Sequence, residues 1–256
     1  MSATTFVDDF DSAELDGDVW IPHYLPMWSS RAQTAASFTV AGSELRLTIP
    51  PGQGLWCPEE HDPLRVSGIQ SGVFSGAVGS TVGQQPFRAG AVVREFQPAQ
   101  WGWTPRYGRL EVRARMRLSP RSMAAVWMVG REQEPAQSGE ICIFEIFGDA
   151  LEPDPPAAAV GMGVHPFRDP ALTEEFAASR VPIDVSQPHL YAADWRQGRV
   201  DFSVDGRPVK TVHQAPDYNM QMMVAVFDFP GHAAAAAHAR HVPELAVDRV
   251  RGEERP

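Results

Sequence analysis

The sequence predicts an all-β protein built as a large antiparallel sandwich. About a dozen short segments alternate apolar and polar residues or stay apolar throughout, which is typical of strands. The 21 Gly and 23 Pro residues are spread along the chain and predict turns between these segments. No segment sustains the apolar period of an amphipathic helix. Without a fixed-period repeat or a break in composition, residues 1–256 are predicted to form one domain.

The charge balance excludes some classes of partner. The chain has 22 Lys and Arg against 32 Asp and Glu, which gives a formal net charge of −10. No run of basic residues forms a stripe that could follow a phosphate backbone. We therefore expect no nucleic-acid partner. Neutral glycans or small neutral substrates fit this charge better than anionic polymers do.

Membrane and disulfide signals are missing from the sequence. No window approaches about 18 consecutive apolar residues, and residues 1–30 lack the basic and then apolar pattern of a secretory leader. For the sequence as given we expect a cytoplasmic monomer with no membrane partner. Cys57 and Cys142 are its two cysteines, too few for a disulfide framework and without zinc-binding spacing.

The predicted strands follow one another from an acidic start. Residues 6–11 form a short strand that leads into a turn-rich segment. Tight turns at Gln197-Gly198 and Asp205-Gly206 predict two consecutive hairpins. The Ala-rich run 233–237 predicts a short helical connection before the last strand. The other predicted strands are 37–40, 44–49, 68–75, 109–118, 124–129, 140–147, 158–164, 190–196, 199–204, 209–213, 221–227 and 245–250.

The strand at 140–147 carries the chemistry. It contains Glu140, Cys142 and Glu145 in an otherwise apolar, β-favouring run. Burial of ionisable groups costs free energy, so their presence in a buried strand indicates a function. At a period of two, Glu140 and Glu145 face opposite sides, unless a bulge inserts one residue and returns Glu145 to the first face. Two carboxylates in one cleft suit glycoside cleavage, and the alternative is two solvent-facing glutamates at a strand edge.

Five motifs in order resemble one known family. The stretch 139–148 resembles the catalytic signature of glycoside hydrolase family 16, Glu-Ile-Asp-Ile-x-Glu in its bulged form. The companion strands Tyr107-Gly-Arg-Leu-Glu-Val-Arg, Ala125-Val-Trp-Met-Val, Leu190-Tyr-Ala-Ala-Asp-Trp with Val204-Asp-Gly, and Leu245-Ala-Val-Asp-Arg-Val resemble that family's other strands. The resemblance implies a concanavalin-like β-jelly-roll sandwich of two curved antiparallel sheets, with a substrate groove across the concave one.

The same resemblance implies a retaining endo-hydrolase of β-linked polysaccharide, with β-1,3- or mixed-linkage glucan as the expected substrate. Glu140 would be the nucleophile and Glu145 the acid/base. Cys142 departs from the pattern, because family members carry Asp there. A thiol is a weak donor that stays neutral between two carboxylates. Three alternatives follow: a hydrolase with altered pKa values, a weakened or inactive glycan-binding protein, or a subgroup with another substrate.

Aromatic side chains would complete a sugar site, because indole rings pack on the apolar faces of pyranoses. By resemblance, Trp127 lies beside the cleaved sugar and His165 lies near the acid/base. Trp101, Trp103 and Trp56 are predicted at the rim of the groove, with simple core packing as the alternative.

The resemblance also implies a structural calcium site on the convex face, formed by Asp9, a carbonyl near Gly42 and Asp248. Such oxygen ligands suit Ca²⁺. We expect no cofactor for catalysis. Hydrolysis of a polymer favours export, so secretion stays open beside the cytoplasmic interpretation.

Overall fold

The computed structural model describes residues 5–233, 238 and 240–254. Beyond residue 233, the predicted Ala-rich connection lies outside these residues. One helical turn, α1 (Arg31–Thr34), and two 3₁₀ turns, Pro26–Trp28 and Gly148–Ala150, accompany the strands. The strands are β1 (Thr5–Asp8), β2 (Ser37–Val40), β3 (Leu45–Thr48), β4 (Arg65–Gln70), β5 (Gly72–Val73), β6 (Gln100–Trp101), β7 (Gly108–Arg117), β8 (Ser122–Gly130), β9 (Glu140–Phe147), β10 (Leu151–Pro153), β11 (Pro156–His165), β12 (Glu175–Val181), β13 (His189–Arg196), β14 (Arg199–Val204), β15 (Arg207–Val212), β16 (Met220–Asp228) and β17 (Glu244–Glu253).

Two large antiparallel sheets contain most of these strands. The first has the order β15-β14-β13-β7-β17-β3-β2, with β1 paired to β17. The second has the order β10-β11-β9-β8-β16-β4, with β12 paired to β11. The short strands β5 and β6 pair separately. This arrangement confirms the predicted all-β sandwich.

The main core lies between the two sheets. Alternate residues of β7, such as Leu110 and Val112, pack there against alternate residues of β8 and β9, such as Val126 and Ile141. The period-two pattern of the sequence therefore reports which side of each strand is buried. Part of the remaining packing is aromatic, because the rings of Phe144 on β9 and Tyr191 on β13 lie 4.4 Å apart across the core.

A second apolar layer covers the outer face of the second sheet. All nine residues of β8 and all nine of β16 are buried, so both faces of these strands are covered. The cover comes from the segments between β1 and β2, β3 and β4, and β5 and β6. Members of this outer cluster include Leu25, Trp28, Trp56, Val93 and Met223.

Most predicted strands are confirmed, several to within one residue at each end. The predicted strand 68–75 is wrong as one element, because the chain leaves the second sheet after Gln70 and forms β5 separately. Ser71 marks the break: its N–H donates to the Met222 carbonyl and its hydroxyl donates to the Trp103 carbonyl. Strand β12 is absent from the predictions. Within the described residues, no helix is long and apolar enough to span a membrane.

Trp103 was predicted at the groove rim and is instead in the main core. Its ring stacks on Phe6, with centroids 4.6 Å apart and an interplanar angle of 13°. Gly252 on β17 leaves room for the indole, because a Cβ there would lie 1.9 Å from Trp103. The residue fastens the start of the chain to its last strand.

Candidate active site

A β-bulge in β9 decides where the two glutamates point. Along β8, Val126 pairs with Phe144 and Trp127 pairs with Cys142, so Ile143 has no partner. The same shift occurs on the other side of β9, where β11 pairs Gly161 with Glu145 and Gly163 with Cys142.

Ile143 and Phe144 both belong to the main core, which reverses the alternation of the strand after the bulge. Glu140, Cys142 and Glu145 consequently share the outer face of the second sheet and line one cavity of about 360 Å³. The predicted bulge is present, and the alternative of glutamates facing bulk solvent does not hold.

Aromatic rings form much of the cavity wall. Trp127 and Phe227 lie side by side on β8 and β16, and Tyr24 packs edge-on against both rings. Trp56 is 3% exposed, and its indole N–H donates to the Tyr24 carbonyl at 3.0 Å. The cavity also contacts His61, Leu64, Gln85, Phe87, Met123, Ala125, His165, Phe167 and Phe229. Apolar and aromatic walls with a few placed polar groups are typical of small-molecule binding cavities.

The cavity is closed on one side by the second apolar layer. The outward residues of β4 and β16, including Val66, Met223 and Ala225, are at most 3% exposed. Leu25 and Trp28 belong to the layer that packs over them. On the other side, β11 places Gly161 and Gly163 opposite Glu145 and Cys142, and the Phe176 ring on β12 packs over Gly161.

Burial sets the protonation of both glutamates. It raises the pKa of Glu140 to about 7, while His165 and a hydrogen bond from Gln85 act in the opposite direction. It also raises the pKa of Glu145, again with His165 in opposition. Within the part of the chain that the structure describes, Glu140 carries a side-chain hydrogen bond that favours its ionised form, and Glu145 does not. Both carboxyl groups are therefore shifted towards protonation, Glu140 to a pKa of about 7, and the hydrogen bond from Gln85 limits the shift at Glu140.

Cys142 lies between these residues as a neutral thiol. Burial raises its pKa well above the ordinary value, and the Glu145 and Glu140 charges raise it further. Its Sγ lies 3.9 Å from the Gly161 carbonyl oxygen, a weak contact directed away from Glu140. A thiol in this environment neither ionises nor attacks at neutral pH.

The structure places the other predicted site residues unevenly. Trp127, Trp56 and His165 line the cavity together with Glu140 and Glu145. The His165 ring stacks on Phe176, and its Nδ1 lies 3.0 Å from a Glu174 carboxylate oxygen.

Trp101 and Trp103 do not line the cavity, and the predicted rim position of Trp103 is wrong because it packs in the main core. Trp101 pairs with Gly72 in the small sheet, and the Arg131 guanidinium lies 4.1 Å above its ring. Both indoles pack against other residues. They lie in a segment with Gly and Pro, and segments of this kind are usually exposed, so the sequence wrongly indicated an exposed Trp103 indole.

Gln85 is the site residue that sequence reasoning missed. It is 7% exposed, lines the cavity, and its side-chain amide donates to Glu140 Oε1. No motif marks it, because it lies 55 positions before Glu140 in a loop without periodicity. Tyr24, also in a loop, was missed for the same reason, whereas Phe227 lies on the predicted strand 221–227 and was missed because that apolar strand shows no sign of which face lines a cavity.

The predicted calcium ligands do come together, around a depression at the edge of the first sheet. Asp248 Oδ1 is buried and has no hydrogen-bond partner within the described residues, while the other carboxylate oxygen pairs with Arg113. Asp9 pairs with Arg249 at 2.6 Å, and Gly42 completes the set. The orphaned Asp248 Oδ1 is the kind of donor that Ca²⁺ prefers, while Arg46, Arg113 and Arg249 line the same depression and compete for its carboxylates.

Comparison with known proteins agrees with this geometry. The model of the glycosyl hydrolases family 16 matches residues 102–242, more than half of the chain. The chain belongs to glycosyl hydrolase family 16. Members of this family are enzymes that act on O-glycosidic bonds.

Solved structures show the shared fold of this family 16 protein. A GlcNAcα1-4Gal-releasing endo-β-galactosidase from Clostridium perfringens is 24% identical with a TM-score of 0.79, over 98% of this chain and 62% of that one. The laminarinase catalytic domain of Thermotoga maritima MSB8 is 14% identical with a TM-score of 0.68, over 100% of both chains. The endo-1,3-β-glucanase catalytic domain of Thermotoga petrophila RKU-1 is 16% identical with a TM-score of 0.67, over 99% of this chain and 98% of that one. The predicted jelly-roll fold is confirmed. A search of curated proteins found no match.

The raised pKa of Glu140 predicts a pH-dependent loss of stability. A folded-state pKa of about 7, above an ordinary value of 4.5, adds stability that is complete below pH 4.5 and is lost as pH rises through 7. We expect Glu140→Gln, which cannot ionise, to raise the free energy of unfolding by about 1–2 kcal/mol at pH 8 and by much less at pH 4.5.

Urea unfolding at both pH values would measure the difference. Glu134→Gln, at an exposed position outside the cavity, is the matched control and should leave the pH dependence unchanged. An equal effect of Glu140→Gln at both pH values would contradict the assigned burial.

Proposed function

We propose that this family 16 protein is a retaining endo-hydrolase of β-linked glycans, with Glu140 as nucleophile and Glu145 as acid/base. The observation that supports the proposal is the bulge at Ile143, which turns both carboxyl groups into one aromatic cavity. Cavity burial raises the pKa of Glu145, the direction that an acid/base needs, and the Gln85 hydrogen bond favours the charge on Glu140.

The proposed reaction runs in two displacements. The Glu140 carboxylate attacks the anomeric carbon while the glycosidic C–O bond breaks, and Glu145 gives its proton to the departing oxygen. Glu145, now ionised, takes a proton from water, whose oxygen attacks the same carbon and releases Glu140. Cys142 stays a neutral thiol throughout, and the chemistry needs no cofactor.

The substrate we propose is a β-1,3- or mixed-linkage glucan, which the similarity to laminarinases supports. A β-galactoside-containing glycan is the second candidate, because the Clostridium endo-β-galactosidase gives the higher TM-score of 0.79. We expect the protein to act as a monomer on these glycans.

We expect the protein to release reducing sugar from laminarin or lichenan, or from a galactan if the second candidate holds. Glu140→Ala and Glu145→Ala should each lower turnover of an aryl β-glycoside by more than about 100-fold. Added azide should then rescue both variants with opposite stereochemistry. It gives an α-glycosyl azide where the nucleophile is missing and a β-glycosyl azide where the acid/base is missing.

NMR of the azide products would assign the two roles. Glu134→Ala, outside the cavity, is the control and should behave like the parent. Binding of glycans by calorimetry without release of sugar from any polymer would refute hydrolysis and favour the alternative, a glycan-binding protein.

Cys142 can be tested separately. We propose that it replaces a carboxylate that tunes the two glutamates in other members of the family. Cys142→Asp should then raise turnover and move the pH optimum, because a carboxyl group can share protons with Glu140 while a buried thiol cannot. Cys142→Ser, which adds no ionisable group, is the control. Loss of turnover in Cys142→Asp alone would show that the cysteine belongs to a specialised site.

We also propose a structural calcium held by Asp9, the region of Gly42 and Asp248. Saturating Ca²⁺, at about 100 times its Kd, should stabilise the protein by about 2.7 kcal/mol, seen as a higher Tm. Asp248→Asn should abolish that rise. Asp11→Asn, in the same depression but outside the ligand set, should keep it. Equal Tm values with Ca²⁺, Mg²⁺ and chelator would exclude the site.

A further inference from the structure

We propose that Gln85 is a third catalytic residue, which holds the Glu140 carboxylate in its attacking orientation, and that buried Glu132 positions Gln85 for this task. The inference rests on the proposed role of Glu140 as nucleophile. It concerns residues outside the motif of β9, on two loops, of which the one with Gln85 lines the cavity.

The contact between Gln85 and Glu140 has a defined polarity. Gln85 Nε2 donates to Glu140 Oε1, so this oxygen is held and Oε2 is left for attack. An amide N–H is a donor only, and its hydrogen bond is stronger to a charged carboxylate than to a neutral one. Gln85 therefore favours the ionised form of Glu140 against the effect of burial.

The backbone around Gln85 is built to bring this amide into place. Gln85 has φ 43° and Glu132 has φ 54°, both in the left-handed region that side chains other than glycine rarely adopt. The Gln85 N–H donates to Glu132 Oε1 at 2.8 Å, and the second Glu132 oxygen pairs with Arg168. The backbone N–H of Arg168 donates to Ser138 Oγ at 2.8 Å, and Ser138 lies two residues before β9 begins.

Two separate loops are thereby tied to the start of the catalytic strand. Glu132 is only 3% exposed, and burial raises its pKa to about 7. The Gln85 N–H and Arg168 favour its ionised form, while the Glu140 charge opposes it. A buried carboxylate that fixes a strained loop next to a reactive group is a feature of preorganised sites.

A comparison with the neighbouring Gln84 separates this role from simple packing. Gln84 is fully buried and uses both ends of its amide: Oε1 accepts from the Phe74 N–H at 3.2 Å, and Nε2 donates to the Arg131 carbonyl at 3.4 Å. Gln85 uses only its donor end within the described residues. Its Oε1 is buried without a partner, on a side chain that lines the cavity. A sugar hydroxyl in the cavity would supply the missing donor.

The test compares Gln85→Leu with Gln84→Leu, two changes of the same size at adjacent buried positions. Carbon-13 NMR of protein labelled at the glutamate carboxyl carbon follows the titration of Glu140, whose signal is assigned by its loss in Glu140→Gln. We expect the Glu140 midpoint to move to higher pH in Gln85→Leu and to stay at the parent position in Gln84→Leu, whatever the change in Tm.

Turnover gives the second readout. Loss of one hydrogen bond to a charged group should lower kcat by roughly 10- to 100-fold in Gln85→Leu and shift the acidic limb of the pH–rate profile upward. Glu132→Ala also removes a like charge near Glu140, which opposes the upward shift of the limb, so its readout is kcat, which should fall by less than in Gln85→Leu. An unchanged midpoint in Gln85→Leu, or an equal shift in Gln84→Leu, would overturn the proposal.

The two proposals fail in different ways. A shifted midpoint in a protein that hydrolyses no glycan would uphold the contact between Gln85 and Glu140 and refute the hydrolase. Normal hydrolysis with no shift would do the reverse. If Gln85→Leu does not fold, Gln85→Asn, which keeps the amide but withdraws it by one methylene, should show the same upward shift.

Discussion

The site depends on one irregularity, the bulge at Ile143. In a regular strand Glu145 would point into the main core, where an unpaired carboxylate is very costly. The bulge instead gives the core two consecutive apolar side chains, Ile143 and Phe144, and gives the cavity Glu145. The contact of Phe144 with Tyr191 on the opposite sheet stabilises the bulge. The packing that stabilises the sandwich therefore also fixes the position of the proposed acid/base.

The second apolar layer changes the electrostatic environment of the outer face of β9, which carries both glutamates. Loops that bury β4 and β16 lower the dielectric constant next to β9, which raises the pKa of Glu140, Glu145 and Cys142 together. Burial alone would leave all three protonated and unreactive. Groups that favour one charge are therefore required, and His165 and Gln85 supply them from opposite sides of the strand.

Sequence patterns were sufficient where burial has a period. Strand β7 alternates core and solvent residues along its whole length. The sequence of β9 predicted both its apolar face and the bulge that brings the two glutamates to one side. Strand β12 was missed because most of its residues are exposed or only half-buried, so the apolar period is absent. Trp103 was misplaced because an indole in a Pro/Gly-rich loop has the same local signal at a groove rim and in a core. Only the distant Gly252 distinguishes the two.

Gln85 shows why the candidate site could not be predicted from the sequence of one strand. The strand at 140–147 names the two acids but not the group that sets their charges, because Cys142, the residue between them, is a thiol that does not titrate near neutrality. A donor from elsewhere is then needed, and it comes from a loop held in a costly backbone conformation by Glu132 and Arg168. Such a donor leaves no periodic trace, since one polar residue in a loop is ordinary. The motif and the loop form one unit, and the chemistry of β9 cannot be inferred from β9 alone.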